Sequence, residues 1–71
     1  MEKVLSHIRK AERQGRVAVW EMTTGARFEA SRGIHGYCAV WYGRGWCTIA
    51  WHTGMTLREC AALVAGWIEA N

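Results

Sequence analysis

Residues 16–32 read RVAVWEMTTGARFEASR, and they indicate the fold class more clearly than any other segment. Two runs, 16–22 and 26–32, flank the short segment 23–25, and the second run alternates between apolar and polar residues. Such alternation is typical of half-buried strands, and Gly25 can adopt the left-handed conformation that closes a three-residue loop. The sequence therefore predicts a β-hairpin at this point in the chain.

The length of that loop fixes which residues of the two strands face each other. A three-residue loop places Trp20 opposite Phe28 on one face and Glu21 opposite Arg27 on the other. A two-residue loop would set Phe28 opposite Glu21 and mix polar with apolar residues on both faces. We therefore expect Trp20 and Phe28 in the core, with Glu21 and Arg27 as an exposed ion pair worth roughly a few tenths of a kcal/mol.

A second hairpin is predicted from residues 37–42 and 46–52, turning at residues 43–45. Its register is ambiguous, because a loop of two or four residues pairs Tyr42 with Cys47, whereas a loop of three pairs Tyr42 with Trp46. We prefer the first pairing because it gathers the more aliphatic set toward the helices. That set is Cys38, Val40, Tyr42, Cys47, Ile49 and Trp51. The opposite face is then expected to meet solvent, and it holds Tyr37, Ala39, Trp41, Thr48, Ala50 and His52.

The N-terminal segment is predicted to be a basic amphipathic helix over residues 2–14. Apolar residues recur there at steps of three and four, and Gly15 follows as a stop signal. The other faces carry Lys3, His7, Arg9, Lys10 and Arg13, with Arg16 just beyond the helix. This is the most basic part of the chain.

The second helix is predicted to begin at Thr56. The Thr56 hydroxyl can accept from the Glu59 amide while the Glu59 carboxylate accepts from the Thr56 amide, which is a capping box. The remainder is mostly apolar, so this helix is expected to be largely buried. The fold class is therefore α+β, a single two-layer domain over residues 1–71. It has a four-stranded antiparallel meander sheet with an N-terminal and a C-terminal helix on one face.

Length and composition limit what the chain can be. With 71 residues, 51% of them hydrophobic, no proline and a net charge of +3, it is a small folded domain with a mild preference for acidic partners. It has no signal-like start, and its longest apolar run, 60–68, is too short to span a membrane. Three cysteines, an odd number, favour reduced thiols and a cytoplasmic location. A homodimer is left open, because so small a core has no disulfide or metal to support it.

No pattern of catalytic residues or metal ligands stands out. Cys47 and His52 are five residues apart on one predicted strand, so their side chains point to opposite faces and can form neither a nucleophile–base pair nor a zinc site. Ser31 and His35 could meet across a turn, but no carboxylate stands in a patterned relation to them. We therefore expect a non-enzymatic protein with no cofactor and no metal.

The feature that suggests a function is the solvent-facing side of the second hairpin. The chain has five tryptophans, and aromatic residues together with arginine are enriched at binding hot spots. The predicted partner-binding residues are Tyr37, Trp41, Arg44, Trp46, His52, Arg27 and Arg32. In the competing arrangement the register differs and these rings pack inside.

The predicted function is a small protein-binding module or inhibitor that docks its aromatic face, or an exposed strand edge, onto a larger protein or nucleoprotein complex. Chains of this size and style are common among phage-encoded proteins that act on host nucleoprotein machinery, anti-CRISPR proteins included, although no motif is shared. The alternative is a nucleic-acid-binding domain, in which the rings stack on unpaired bases while the basic helix and arginines neutralise phosphates. A net charge of only +3 favours the protein partner.

Overall fold

A computed structural model describes all 71 residues as two helices packed on one side of a four-stranded sheet. Helix α1 spans Glu2–Arg13 and helix α2 spans Leu57–Ala70. The strands are β1 Ala18–Glu21, β2 Arg27–Gly33, β3 Gly36–Tyr42 and β4 Thr48–Met55. They are antiparallel and lie in the order β1-β2-β3-β4. The predicted α+β architecture is confirmed.

The first hairpin has the predicted three-residue loop. The Met22 amide donates to the Ala26 carbonyl at 2.8 Å, and Gly25 has a φ of +92°. Trp20 stands opposite Phe28, and Glu21 stands opposite Arg27. The register prediction for this hairpin is therefore confirmed.

The predicted register of the second hairpin is wrong. Tyr42 pairs with Thr48, because residues 43–47 form a longer loop that contains a 3-10 turn over Arg44–Trp46. The Gly43 amide closes this loop by donating to the Cys47 carbonyl at 2.8 Å. One further pair along, Trp41 stands opposite Ala50, so β4 has an extra residue at this point and the ladder is bulged.

The helices also cover the face that was expected to meet solvent. The tight turn between Gly33 and Gly36 pairs Phe28 with Trp41, so Trp41 shares the face of the first hairpin's core residue. The rows on the helix side are Trp20, Phe28, Trp41 and Ala50, then Ala18, Ala30, Ala39 and His52. The expectation that Val40 and Tyr42 would lie under the helices is therefore wrong, because pairing with β2 determines which side of the sheet each β3 residue faces.

The core forms where the two helices meet that face. Helix α1 contributes Val4, Leu5, Ile8 and Ala11, and helix α2 contributes Cys60, Ala61, Val64 and Trp67. Small residues on the sheet, Ala18, Ala30 and Ala39, let the helices approach closely. The other face of the sheet, called the open face below, has no element of the chain packed over it. Neither helix has the length and apolar character needed to cross a membrane.

The start of α2 is held by the predicted capping box. The Glu59 amide donates to the Thr56 hydroxyl at 3.1 Å, and the Thr56 amide donates to the Glu59 carboxylate at 2.9 Å. Because β4 ends at Met55, this cap turns the chain directly from the sheet onto its helix side.

Candidate functional site

Apolar side chains remain uncovered on the open face. One row across the sheet on this side is Val19, Glu29, Val40 and Trp51, and the next pairs Glu21, Arg27, Tyr42 and Thr48. Trp46 and Trp51 are 63% and 64% exposed. We name Val40, Tyr42, Trp46 and Trp51 the open-face cluster. Exposed aromatic residues gathered on one surface mark interaction sites more often than scattered ones do.

The loop after β3 holds Trp46 in place over the sheet. Gly45 and Trp46 both adopt positive φ values, 73° and 63°, and Trp46 is the one non-glycine residue of the chain that does so. This conformation turns the indole back toward Tyr42, with ring centroids 5.4 Å apart. A non-glycine residue in this region is strained, and such strain is concentrated at functional sites.

Arg27 fixes the same indole from the neighbouring strand. Its guanidinium lies 4.8 Å from the centre of the Trp46 ring, within cation–π range. Its Nε also donates to the Glu29 carboxylate at 2.9 Å, and a second carboxylate, that of Glu21, lies at 3.7 Å. Arg27 therefore orients Trp46, and its charge is already matched within the molecule.

A shallow cavity of about 170 Å³ lies beside this stack, between the ends of the two hairpins. Its lining includes Glu21, Met22, Ala26, Arg27, Tyr42 and Trp46. Arg44 crosses from the second hairpin to the first, because a Cβ on Gly25 would stand 2.9 Å from its side chain. The two hairpin ends thus form one continuous rim for the open-face cluster.

Several residues that the sequence placed on the binding face lie on the helix side. Trp41 packs against Phe28 and Trp67, with ring centroids 5.5 and 5.7 Å away, and its Nε1 is buried without a hydrogen-bond partner. The expectation that Trp41 is exposed is therefore wrong. His52 also lies on this side, where its ring is exposed at the sheet edge and 6.1 Å from Trp67.

Tyr37 and Arg32 also belong to the helix side, where they join the sheet to α1. The Tyr37 hydroxyl donates to the Glu12 carboxylate at 2.6 Å, and Arg32 donates to the same carboxylate at 3.0 Å. The Tyr37 hydrogen bond, followed by that of Arg32, lowers the pKa of Glu12, and the bond to Glu12 raises the pKa of Tyr37. Their contacts are those of a structural bridge, so placing Tyr37 on an exposed strip was wrong.

Of the predicted set, Trp46, Arg27 and Arg44 do come together at the open side and its hairpin end. Sequence reasoning missed Val40, Tyr42 and Trp51, which it assigned to the core. The signal that could have found them is the turn Gly33-Ile34-His35-Gly36, since a two-residue loop pairs Phe28 with Trp41 and so turns Val40 and Tyr42 outward.

The thiols occupy three different environments. Cys47 is exposed, Cys60 is buried, and the Cys38 sulfur on the open face lies 3.1 Å from the Thr53 hydroxyl. Burial, with a smaller effect from Cys38, raises the pKa of Cys60 to about 11. Such a thiol stays protonated and unreactive near neutral pH. No group of three or more His, Cys, Asp or Glu side chains is placed to hold a metal ion.

The basic residues of α1 lie on the opposite side of the sheet from the open-face cluster. A groove of about 270 Å³ runs between α1 and the edge of β1, lined in part by Lys10, Gln14 and Arg16. The basic helix and the exposed aromatic rings therefore form two separate surfaces.

No protein-family model, curated protein or solved structure matches the chain. The features of the molecule that bear on its function are therefore the geometry of the open face and the charges around it.

Proposed function

We propose that this protein is a non-enzymatic protein-binding module or inhibitor that docks its open sheet face on an apolar surface of a larger protein. The observation that supports this most strongly is that Trp46 and Trp51 are 63% and 64% exposed on one uncovered face. Burying such rings in a partner releases much apolar area from water at little cost in rotamer entropy.

The cluster is also preorganised for binding. Trp46 is held by Tyr42 at 5.4 Å and by Arg27 at 4.8 Å, so docking does not have to order its ring. Preorganised anchors lose less entropy on binding than mobile ones. The 170 Å³ cavity beside the ring offers room for a side chain of the partner.

The charges favour a protein over a nucleic acid as the partner. Stacking on bases needs free cations close by to meet the phosphates, but Arg27 is paired with Glu29 and Glu21. The basic residues of α1 line the other side of the sheet. A nucleic-acid strand on the open face would therefore meet few unpaired positive charges.

In its narrower form, the proposal is a phage-encoded inhibitor of a host nucleoprotein complex. Its support is the small size of the chain and a surface suited to binding. The partner in that case would be a protein subunit of the complex.

The test is a capture experiment with matched variants. Trp46→Ala combined with Trp51→Ala should weaken partner binding about 30-fold or more, which corresponds to about 2 kcal/mol. Ile34→Ala is the control, because Ile34 is apolar, 95% exposed and at the far hairpin turn. Equal recovery of partners by the wild type and the double variant would contradict the proposal.

A salt titration of binding to single-stranded DNA and RNA distinguishes the proposed protein-binding function from the nucleic-acid-binding alternative. The proposal predicts no binding at low salt. Tight binding that falls steeply as salt rises, and is lost in the same double variant, would instead assign the open face to nucleic acid.

A further inference from the structure

Strand β4 forms a long sheet edge without charged residues or proline. It runs for eight residues, Thr48–Met55, and contains no Asp, Glu, Lys, Arg or Pro. Its residues Trp51, His52, Thr53 and Gly54 are exposed. No side chain donates to or accepts from its backbone. Folded proteins normally protect such an edge with charge, proline, a bulge or a covering element, because it is a template for pairing with another strand. Strand β4 has two irregularities in its pairing with β3, and the segment between them, residues 50–52, is regularly paired.

The other edge of the sheet is protected. Strand β1 has only four residues, Ala18–Glu21, and ends in a charged side chain. The His7 ring of α1 lies 3.0 Å from the Val19 carbonyl, so the helix caps an acceptor of this edge. A charged residue and a covering side chain therefore protect the β1 edge, whereas residues 50–52 of the β4 edge have neither.

We propose that β4 pairs with β4 of a second copy of this chain, antiparallel and about a two-fold axis, to form a continuous eight-stranded sheet. A partner of this kind fits because two-fold pairing uses the same edge in both copies and leaves no β4 edge free. The edges that remain are the two short β1 strands, each capped by His7. Assembly therefore stops at the dimer instead of growing into a filament.

Charge distribution supports a second copy as the occupant. Each chain has a net charge of +3, which opposes self-association in general. However, α1, with its basic residues, packs over β1 and β2, at the end of the sheet away from β4. Two copies that meet through β4 bring uncharged strands together and hold their basic helices at the outer ends.

The symmetry also determines what meets at the axis. In an antiparallel pair of strands, directly opposed residues lie on the same side of the sheet. A two-fold axis between two identical strands therefore passes through a position where a residue stands opposite the same residue of the second copy. The middle of β4 is Trp51 and His52. We assign the axis to Trp51, because two indoles that pack against each other bury a large apolar area and attract each other. The two open-face clusters then merge across the dimer.

The experiment measures molar mass by light scattering across a concentration series. The wild type is expected to reach twice the 8.0 kDa chain mass. His52→Lys places a charge beside the axis on each copy and should raise the dimer dissociation constant about tenfold or more. The control is Val17→Lys, which adds the same charge at the β1 side, where Val17 is 44% exposed, and should leave the mass unchanged.

Amide hydrogen exchange supplies a second measurement on the same proteins. In the wild type, the β4 amides that point away from β3 should be protected, and this protection should be lost in His52→Lys while the amides of β2 stay protected. Loss of protection throughout β2 would indicate unfolding, in which case Thr53→Lys replaces it as the edge variant.

A wild type that stays at 8.0 kDa overturns the proposal, as does a dimer that His52→Lys and Thr53→Lys leave unchanged. A monomer whose β4 amides gain protection only with a captured partner would show strand addition by that partner and would equally overturn it. The outcome is independent of the proposed function: Trp46→Ala should weaken partner capture without altering the mass.

Discussion

Trp41 and Trp51 lie on adjacent strands, yet they belong to opposite sides of the sheet. Trp41 stands opposite Phe28 and Ala50, under the helices, whereas Trp51 stands opposite Val40 and is 64% exposed. Both are the same residue type, and along both strands successive side chains face alternate sides of the sheet. Alternation therefore sorts residues into two sets but does not say which set is covered.

The pairing of β3 with β2 determines which set of residues the helices cover. The core residue Phe28 lies on the helix side because α2 places Trp67 there, with ring centroids 5.6 Å apart. The register then carries Trp41 to the same side and turns Val40 away. Strand pairing thus determines, from one strand to the next, which side of the sheet a residue occupies. The strand most firmly packed on the helices sets the starting point.

The largest effect that this comparison predicts is on stability at Trp41. Trp41→Ala removes a ring that contacts both Phe28 and Trp67, and it should lower the free energy of unfolding by about 3 kcal/mol. Urea denaturation measures the change. If the variant were as stable as the wild type, Trp41 could not be part of the core.

Trp51→Ala should behave in the opposite way. Its ring is mostly exposed in the monomer, so the free energy of monomer unfolding should change by no more than about 0.5 kcal/mol. The measurement is made in the His52→Lys background, which removes any contribution from dimerisation. A loss as large as that of Trp41→Ala would mean that the two faces are assigned the wrong way round.

Trp41→Phe separates the packing of the ring from the effect of its buried N–H group. The smaller ring leaves a gap, but the substitution also removes the buried Nε1 donor that has no partner, a group that costs about 1–3 kcal/mol when unsatisfied. The two effects oppose each other, so we expect a change within about 1 kcal/mol by the same denaturation assay. A cost equal to that of alanine would show that the indole N–H makes a favourable contact.

The smallest expected effect concerns the link between α1 and the helix side of the sheet. Hydrogen bonds from Tyr37 and Arg32 lower the pKa of Glu12 below its ordinary 4.5, so the link stabilises the fold above pH 4.5 and fades as pH falls through the lowered value. Glu12→Gln should remove this part of the acid dependence of the melting temperature. Identical acid profiles for the two proteins would contradict the link.

Much of the fold follows from local signals in the sequence. The segment 23–25 fixes the first register, and Thr56 with Glu59 fixes the start of α2. The paired glycines at 33 and 36 predict a two-residue turn that orients β3, whereas alternation within the second hairpin alone does not orient it. The facing of Trp41 was therefore predictable from the sequence, although the prediction made was wrong.

The rest of the candidate site could not be predicted from local signals in the sequence. Trp46 adopts a positive φ of 63°, which a non-glycine residue seldom does, and β4 contains an extra residue opposite the end of β3. Both depend on how the 43–47 loop packs against Arg27 and Gly25, which are distant in sequence. The cap of β1 by His7 is likewise a contact across 12 residues that periodicity does not reveal.

The most direct test of the two-sided sheet is solvent exchange of the indole N–H protons, followed by NMR on protein with ¹⁵N-labelled tryptophan. Single Trp→Phe variants assign the five signals. We expect the Trp46 proton to exchange rapidly and the Trp41 proton, whose Nε1 is buried, to be protected many-fold. A Trp41 proton that exchanges as fast as that of Trp46 would contradict this expectation.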